Sequence, residues 1–166
     1  MPTLVLALNY WLHLIATVLW LGGLGMLVLV AWPGLRPAGD AQAGEFFEAL
    51  ERRFRPIANI SLAVLIVTGM IQTGGDPHYA GLLAIGDAWS IGLFAKHIVI
   101  VGMVVVAAML QWGVYPALDR ARLLAAKPGG EEHIAAERRR LRRLAAINLG
   151  LGILVLMLTA FITALE

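Results

Sequence analysis

Apolar residues run along this chain in four long, almost unbroken stretches, at 4–32, 56–73, 91–115 and 144–165. Each reaches or nears the ~20 residues that a helix needs to cross ~30 Å of hydrocarbon. Apolar side chains fall on every side of these stretches, with none of the strict alternation that a membrane β-barrel strand requires. The pattern predicts four transmembrane helices. The connections between them predict an all-α integral membrane four-helix bundle, running up-down-up-down as one domain over 1–166.

The polar residues sharpen this picture. The gap after the first stretch carries Arg36, Arg52, Arg53 and Arg55, and the gap before the fourth carries Arg120, Arg122, Lys127, Arg138, Arg139, Arg140, Arg142 and Arg143. Lys96, at the start of the third stretch, is the one basic side chain outside these two gaps. By the positive-inside rule both gaps are cytoplasmic, which sends both termini to the outer side of a bacterial-type inner membrane. The arginine runs then read as helix ends among anionic lipid headgroups, and no nucleic-acid role is needed to explain them. Asp40 is placed to cap a helix through 45–54 that stops where Pro56 opens the second span. Lys127-Pro128-Gly129-Gly130 breaks the other gap, and a charged helix from Glu131 to Arg143 then runs into the fourth span. The first stretch lacks the basic n-region and short apolar core of a signal peptide, so it is expected to stay as a span.

Composition agrees. The 166 residues are 60% hydrophobic and only 14% charged, too apolar for a soluble domain. Cysteine is absent, which excludes disulfides, thiolate metal sites and Cys-attached haem. No phosphate-binding loop, HExxH motif or nucleophile–base pair at helical spacing is present. The acidic residues keep to loops and helix ends, which argues against a carboxylate proton relay.

The chain also repeats itself faintly. Trp32-Pro33-Gly34-Leu35-Arg36 echoes Tyr115-Pro116-Ala117-Leu118-Asp119 at an offset of 83 residues. Glu51-Arg52-Arg53 echoes Glu137-Arg138-Arg139, and Asn59 echoes Asn148. Both halves run in the same sense, so their pseudo-two-fold axis is expected along the membrane normal.

Two histidines, His13 and His97, interrupt the apolar stretches. An ionisable group inside a span is costly enough to be a functional-site candidate by default. His13 precedes Pro33 by 20 residues and His97 precedes Pro116 by 19, so at about 1.5 Å per residue the rings sit within about 1.5 Å of one level. The pseudo-axis sets them facing each other. Neutral imidazole is a good ligand for iron, copper or zinc. A bis-histidine haem b between the helices is the favoured cofactor, with copper as the alternative. Gly69, Thr68 and Ala63 on the second span, with Thr159 and Ala160 on the fourth, offer small residues beside such a group. Lys96 either snorkels to the outer interface or pairs with an anionic group such as a propionate. Asp76, His78, Tyr79 and Asp87 are the outer side's supporting candidates. Gln72 and Gln111, the main other polar groups near span ends, read as interhelical hydrogen-bonding groups, with contact to a quinone redox partner as the alternative. Met26, Met70, Met103, Met109 and Met157 form no tight helical cluster and read as packing. The bilayer itself is the surest partner, and self-association remains open.

The residues also carry a resemblance. Trp11-Leu12-His13 through Trp20-Leu21-Gly22-Gly23, a histidine followed seven residues later by tryptophan and then a glycine pair, resembles the opening motif of the CopD-type membrane proteins. Arg53-Phe54-Arg55, Thr68-Gly69 and Gly92-Leu93-Phe94-Ala95-Lys96 resemble that family's later landmarks. The resemblance implies a role in copper uptake or resistance and adds Trp20 to the site. The chain is also similar to the HemJ group, which shares the His-to-Trp spacing and the third-span lysine and implies haem binding and protoporphyrinogen oxidation. Where that group has an arginine and a Tyr-His pair, this chain has Leu29 and Val30-Ala31-Trp32.

The arginine distribution generates the first prediction. Reporter fusions placed in the two basic gaps are expected to report cytoplasm, and fusions at either terminus the opposite side. A basic gap exposed outside would overturn the orientation.

Overall fold

The structure is a computed structural model that describes residues 2–34, 41–77, 79, 81, 86–125 and 129–165, and only the backbone of 41–44. Arg36, Asp40, His78, Lys127 and Pro128 therefore lie outside the described residues. Among the described residues the regular structure is entirely helical. Four helices, α1 (Thr3–Gly34), α2 (Ala41–Gly74), α3 (Ala88–Leu123) and α4 (Gly130–Thr163), are each long and apolar enough to cross a membrane. A helix of 34 residues such as α4 is about 51 Å long, well over the ~30 Å of a hydrocarbon core, so its charged end projects beyond the bilayer.

The chain divides into two compact units, Met1–Gly81 and Leu82–Glu166, and each is one helical hairpin. In the first, α1 and α2 run antiparallel. Asn9 meets Thr68, Gly23 meets Phe54, and the Trp32 ring stands 6.1 Å from that of Phe47, so contacts walk down one helix as they walk up the other. The face of α1 that is buried carries Asn9, Ala16, Trp20, Leu24 and Leu27, at helical spacings of three, four and seven. Gly23 is where the two helices come closest. A Cβ there would fall inside the Phe54 ring, 2.8 Å from Cζ and 2.9 Å from Cδ2, so only glycine admits that ring.

The second hairpin is built the same way. Gly92 lies against Ile162 and Gly102 against Leu151, again with one index rising as the other falls. Its core includes Leu93, Met103, Leu110, Val114 and Leu118 from α3, and Leu141, Ala145, Leu149 and Ile162 from α4. Asp87 starts α3 with a capping box: its carboxylate accepts from the Ser90 N–H at 2.7 Å, and the Ser90 hydroxyl accepts from the Asp87 N–H at 3.1 Å. α3 ends at Leu123 and α4 begins at Gly130, as expected, with Gly129 in the left-handed conformation at φ 80°.

The prolines behave differently from the sequence-based expectation. Pro56 does not open a new helix. It lies inside α2, which runs unbroken from the charged segment ahead of it into the span. Proline removes one ladder hydrogen bond and crowds the carbonyl four residues back. Around that weak point the Arg55 guanidinium donates to the Glu51 carboxylate at 2.8 Å, and both side chains are largely buried. Pro116 likewise leaves α3 continuous to Leu123. Ahead of Pro33 and Pro116 the helix widens to the i→i+5 pattern, over Met26–Ala31 and Met109–Val114. The carbonyls each proline would crowd, those of Leu29 and Trp112, sit inside these wider turns, which relieve the clash. The two widened segments are themselves 83 residues apart at both ends. The faint sequence repeat is thus a repeat of backbone geometry. A third widened segment, Val18–Gly22, belongs to α1 alone.

The contact at Gly23 is testable. Gly23→Val drives a side chain into Phe54, and overpacking of this kind costs about 1–3 kcal/mol. Thermal unfolding of the purified protein should fall for Gly23→Val, and Phe54→Ala in that background should recover part of the loss. An unchanged midpoint would refute the close approach.

Candidate functional site

His13 sits on α1 in a row with Asn9 and Thr17, at spacings of four, facing Thr68 and Gly69 of α2. Helical geometry stacks such residues on one side, so this chain presents a polar ladder on an otherwise apolar helix. Each rung finds a partner. Asn9 Nδ2 donates to the Thr68 carbonyl at 3.3 Å, and the Thr17 hydroxyl donates back to the His13 carbonyl at 2.8 Å. His13 Nδ1 lies 2.7 Å from Thr68 Oγ1. Asn9 and Thr68 are buried, and His13 is half-buried.

The Thr68 hydroxyl sets the tautomer of His13. Its single proton goes to the Val64 carbonyl at 2.6 Å. The oxygen therefore meets Nδ1 as an acceptor, and Nδ1 of the neutral ring carries the hydrogen. The lone pair is then on Nε2. His97, in the second hairpin, reaches the same tautomer by a shorter route. Its Nδ1 lies 2.8 Å from the Leu93 carbonyl one turn back on α3. A carbonyl can only accept, so Nδ1 donates and Nε2 again holds the lone pair. Histidines that bind metals characteristically donate their other ring N–H to an oxygen, which fixes the tautomer and raises ligand basicity.

The other expected site residues take varied places. Gly69 lies against the His13 ring, but a Cβ there would be 3.6 Å from Cε1, ordinary contact, so the ring does not need the glycine. Ala63 and Ala160 are exposed, and so add no space inside either hairpin. Thr159 bonds back to the Val155 carbonyl at 2.8 Å. Trp20 is buried on α1, two turns beyond His13, on the face that meets α2. Lys96 is half-buried beside His97, projecting about 100° from it round α3. Asp87 is engaged at the α3 N-terminus, and Asp76 opens the backbone turn to Tyr79. The amide nitrogen of Gln72 is buried and, among the described residues, finds no acceptor. Leu29 and Val30, at the positions where the HemJ group differs, lie exposed in the widened turn of α1. The sequence reading treated Thr68 only as a small residue and passed over Asn9 and Thr17. The signal was the spacing of Asn9, His13 and Thr17 at four residues.

Among the described residues no three His, Cys, Asp or Glu side chains gather as a metal-holding group. Met103 is buried in the second hairpin, while Met26, Met70, Met109 and Met157 point outward, so no thioether series lines either hairpin.

Four helices long and apolar enough to cross a membrane define a multi-pass helical membrane protein. The family model of copper resistance protein D, CopD, matches residues 48–162, and the chain belongs to that family. The matched stretch includes Phe54, Thr68, Gly69, Lys96 and His97. Comparisons with curated proteins and with solved structures return no match.

The tautomer assignment predicts a spectroscopic change. In protein labelled with 15N-histidine, Thr68→Val should remove the Nδ1–H preference of His13 and leave that of His97 untouched, with Thr68→Ser restoring it. Identical His13 spectra in wild type and Thr68→Val would remove threonine from the account.

Proposed function

We propose that this CopD-family protein handles copper within the bacterial inner membrane, using His13 Nε2 in the first hairpin and His97 Nε2 in the second as its donors. The observation that carries this reading is the shared tautomer: both rings place Nδ1–H against an oxygen, which puts the lone pair on Nε2. Imidazole is a suitable copper ligand, and family membership supplies the metal. Copper here is cargo. The basic ends of α2 and of α4 face the cytoplasm, so both histidines lie in the outer half of the membrane, where copper arrives. Thr68 holds His13 and the Leu93 carbonyl holds His97. Lys96, beside His97, attracts or orients an anionic group without itself binding the metal.

A second reading rests on the same two nitrogens. His13 or His97 would also suit as a ligand to a haem b, which would supply one-electron chemistry, and Thr68 would orient the His13 ring there as well. Neither reading assigns a catalytic residue.

Metal analysis and visible spectroscopy of protein purified from its membrane separate the two. Copper(I) titration is expected to show binding that either His13→Ala or His97→Ala weakens severely. Thr68→Val, a supporting change, should cost roughly 10–100-fold in affinity, and Lys96→Ala much less. A Soret band with released porphyrin and no copper would install the haem reading instead. Protein that binds neither, or binds copper equally well without both histidines, would defeat the proposal.

A further inference from the structure

The two hairpins carry different numbers of arginines ahead of a span. On α2, ahead of the second span, Arg52 has Glu48 at 3.9 Å and Arg55 has Glu51 at 2.8 Å, each acid one turn back. The corresponding stretch of α4 holds five arginines within 138–143, and the one acid adjoining them on α4, Glu137, stands 4.0 Å from Arg140. Arg139 and Arg143 are both exposed, and no acid among the described residues pairs with either. They share a face. Each is two residues from the buried Leu141, which puts both roughly 160° round the helix from the packed side. One turn separates them, so their Cβ atoms stand about 6 Å apart.

Depth matters as much as charge. Taking Leu144 as the edge of the fourth span, Arg143 and Arg139 lie about 1.5 and 7.5 Å beyond it along the helix. The headgroup layer on one side of a bilayer is about 5–7 Å thick, so the pair covers that layer. Directly above them on the same face come Ala146 and Gly150, both exposed. A Cβ built at Gly150 would meet nothing within 4 Å. The strip 139, 143, 146, 150 therefore reads as two cations followed, one and two turns into the span, by a shallow smooth channel.

We propose that this face of α4 binds an anionic phospholipid, with Arg139 and Arg143 on its phosphates and the start of an acyl chain along Ala146 and Gly150. The spacing of the two cations favours a lipid with two phosphates, of the diphosphatidylglycerol type. This inference depends on the membrane-spanning helices and not on the metal reading, so either one fails independently of the other.

The test is native mass spectrometry of the intact protein in detergent, titrated separately with diphosphatidylglycerol, with phosphatidylcholine and with inorganic phosphate. Wild type is expected to retain the two-phosphate lipid selectively. The double variant Arg139→Gln, Arg143→Gln should weaken that binding on the order of tenfold or more. Arg52→Gln with Arg53→Gln, at the equivalent end of α2, should leave it unchanged. Gly150→Leu, which fills the channel and keeps the charges, should weaken it to an intermediate degree. Equal retention of phosphatidylcholine, undiminished binding in the arginine double variant, or displacement by millimolar phosphate would each overturn the proposal. So would efficient crosslinking of two Gly150→Cys chains in native membranes, which would give this face to a second copy.

Discussion

Hydrocarbon offers no hydrogen bonds, and most of the local detail in this protein follows from that one constraint. A polar group carried into a span finds a partner inside the protein or goes without one, as the Gln72 amide nitrogen does among the described residues. The hydroxyls of Thr17, Thr68 and Thr159 each fold back onto a carbonyl one turn earlier in their own helix. His97 does the same through Nδ1, and Asn9 crosses to α2 to reach a carbonyl. His13 needs a donor–acceptor arrangement more particular than these, and it has one because Thr68 has already spent its proton. The chemistry open to the imidazole is thus decided by a bond that threonine makes elsewhere.

The same constraint explains why proline is tolerated where a soluble helix would end. At Pro33 and Pro116 the backbone widens rather than breaks, which keeps the neighbouring carbonyls inside a hydrogen-bonded pattern. At Pro56 the helix passes the missing bond next to a charged pair, Glu51 with Arg55, made by side chains one turn apart. Pro33 and Pro116 lie towards the C-terminal ends of their helices, whereas Pro56 lies near the middle of α2.

How much of this was legible follows from which physical effects leave a one-dimensional trace. Burial in lipid demands long apolar runs, so the four spans and the helical class could be read directly, as could the start of α4 at Gly130. Prolines leave a trace too, but an ambiguous one. The rule that proline stops helices made Pro56 look like a boundary, whereas the membrane context carried α2 through it. His13 and His97 stood out because charge-capable groups are rare in spans. Thr68 and Asn9 did not, since a threonine or asparagine in a span is unremarkable until its partner is known, and that partner is some sixty residues away. Gly23 was visible as part of a glycine pair, yet its reason, the ring of Phe54, belongs to another helix. The repeat at 83 residues was weak as sequence and is clear as geometry, because the backbone keeps the widened turns where side chains have diverged.

Those widened turns bear on how the chain can change over time. A turn that spends an extra residue is slack in the helical register: removing one residue from Met26–Ala31 or Met109–Val114 would let that turn tighten to ordinary α-helix. The neighbouring stretches would then keep their facing, where the same deletion in regular helix would swing everything beyond it by about 100°. Single-residue length variation in relatives of this protein should therefore collect at these two places, leaving the faces that carry His13 and His97 in step.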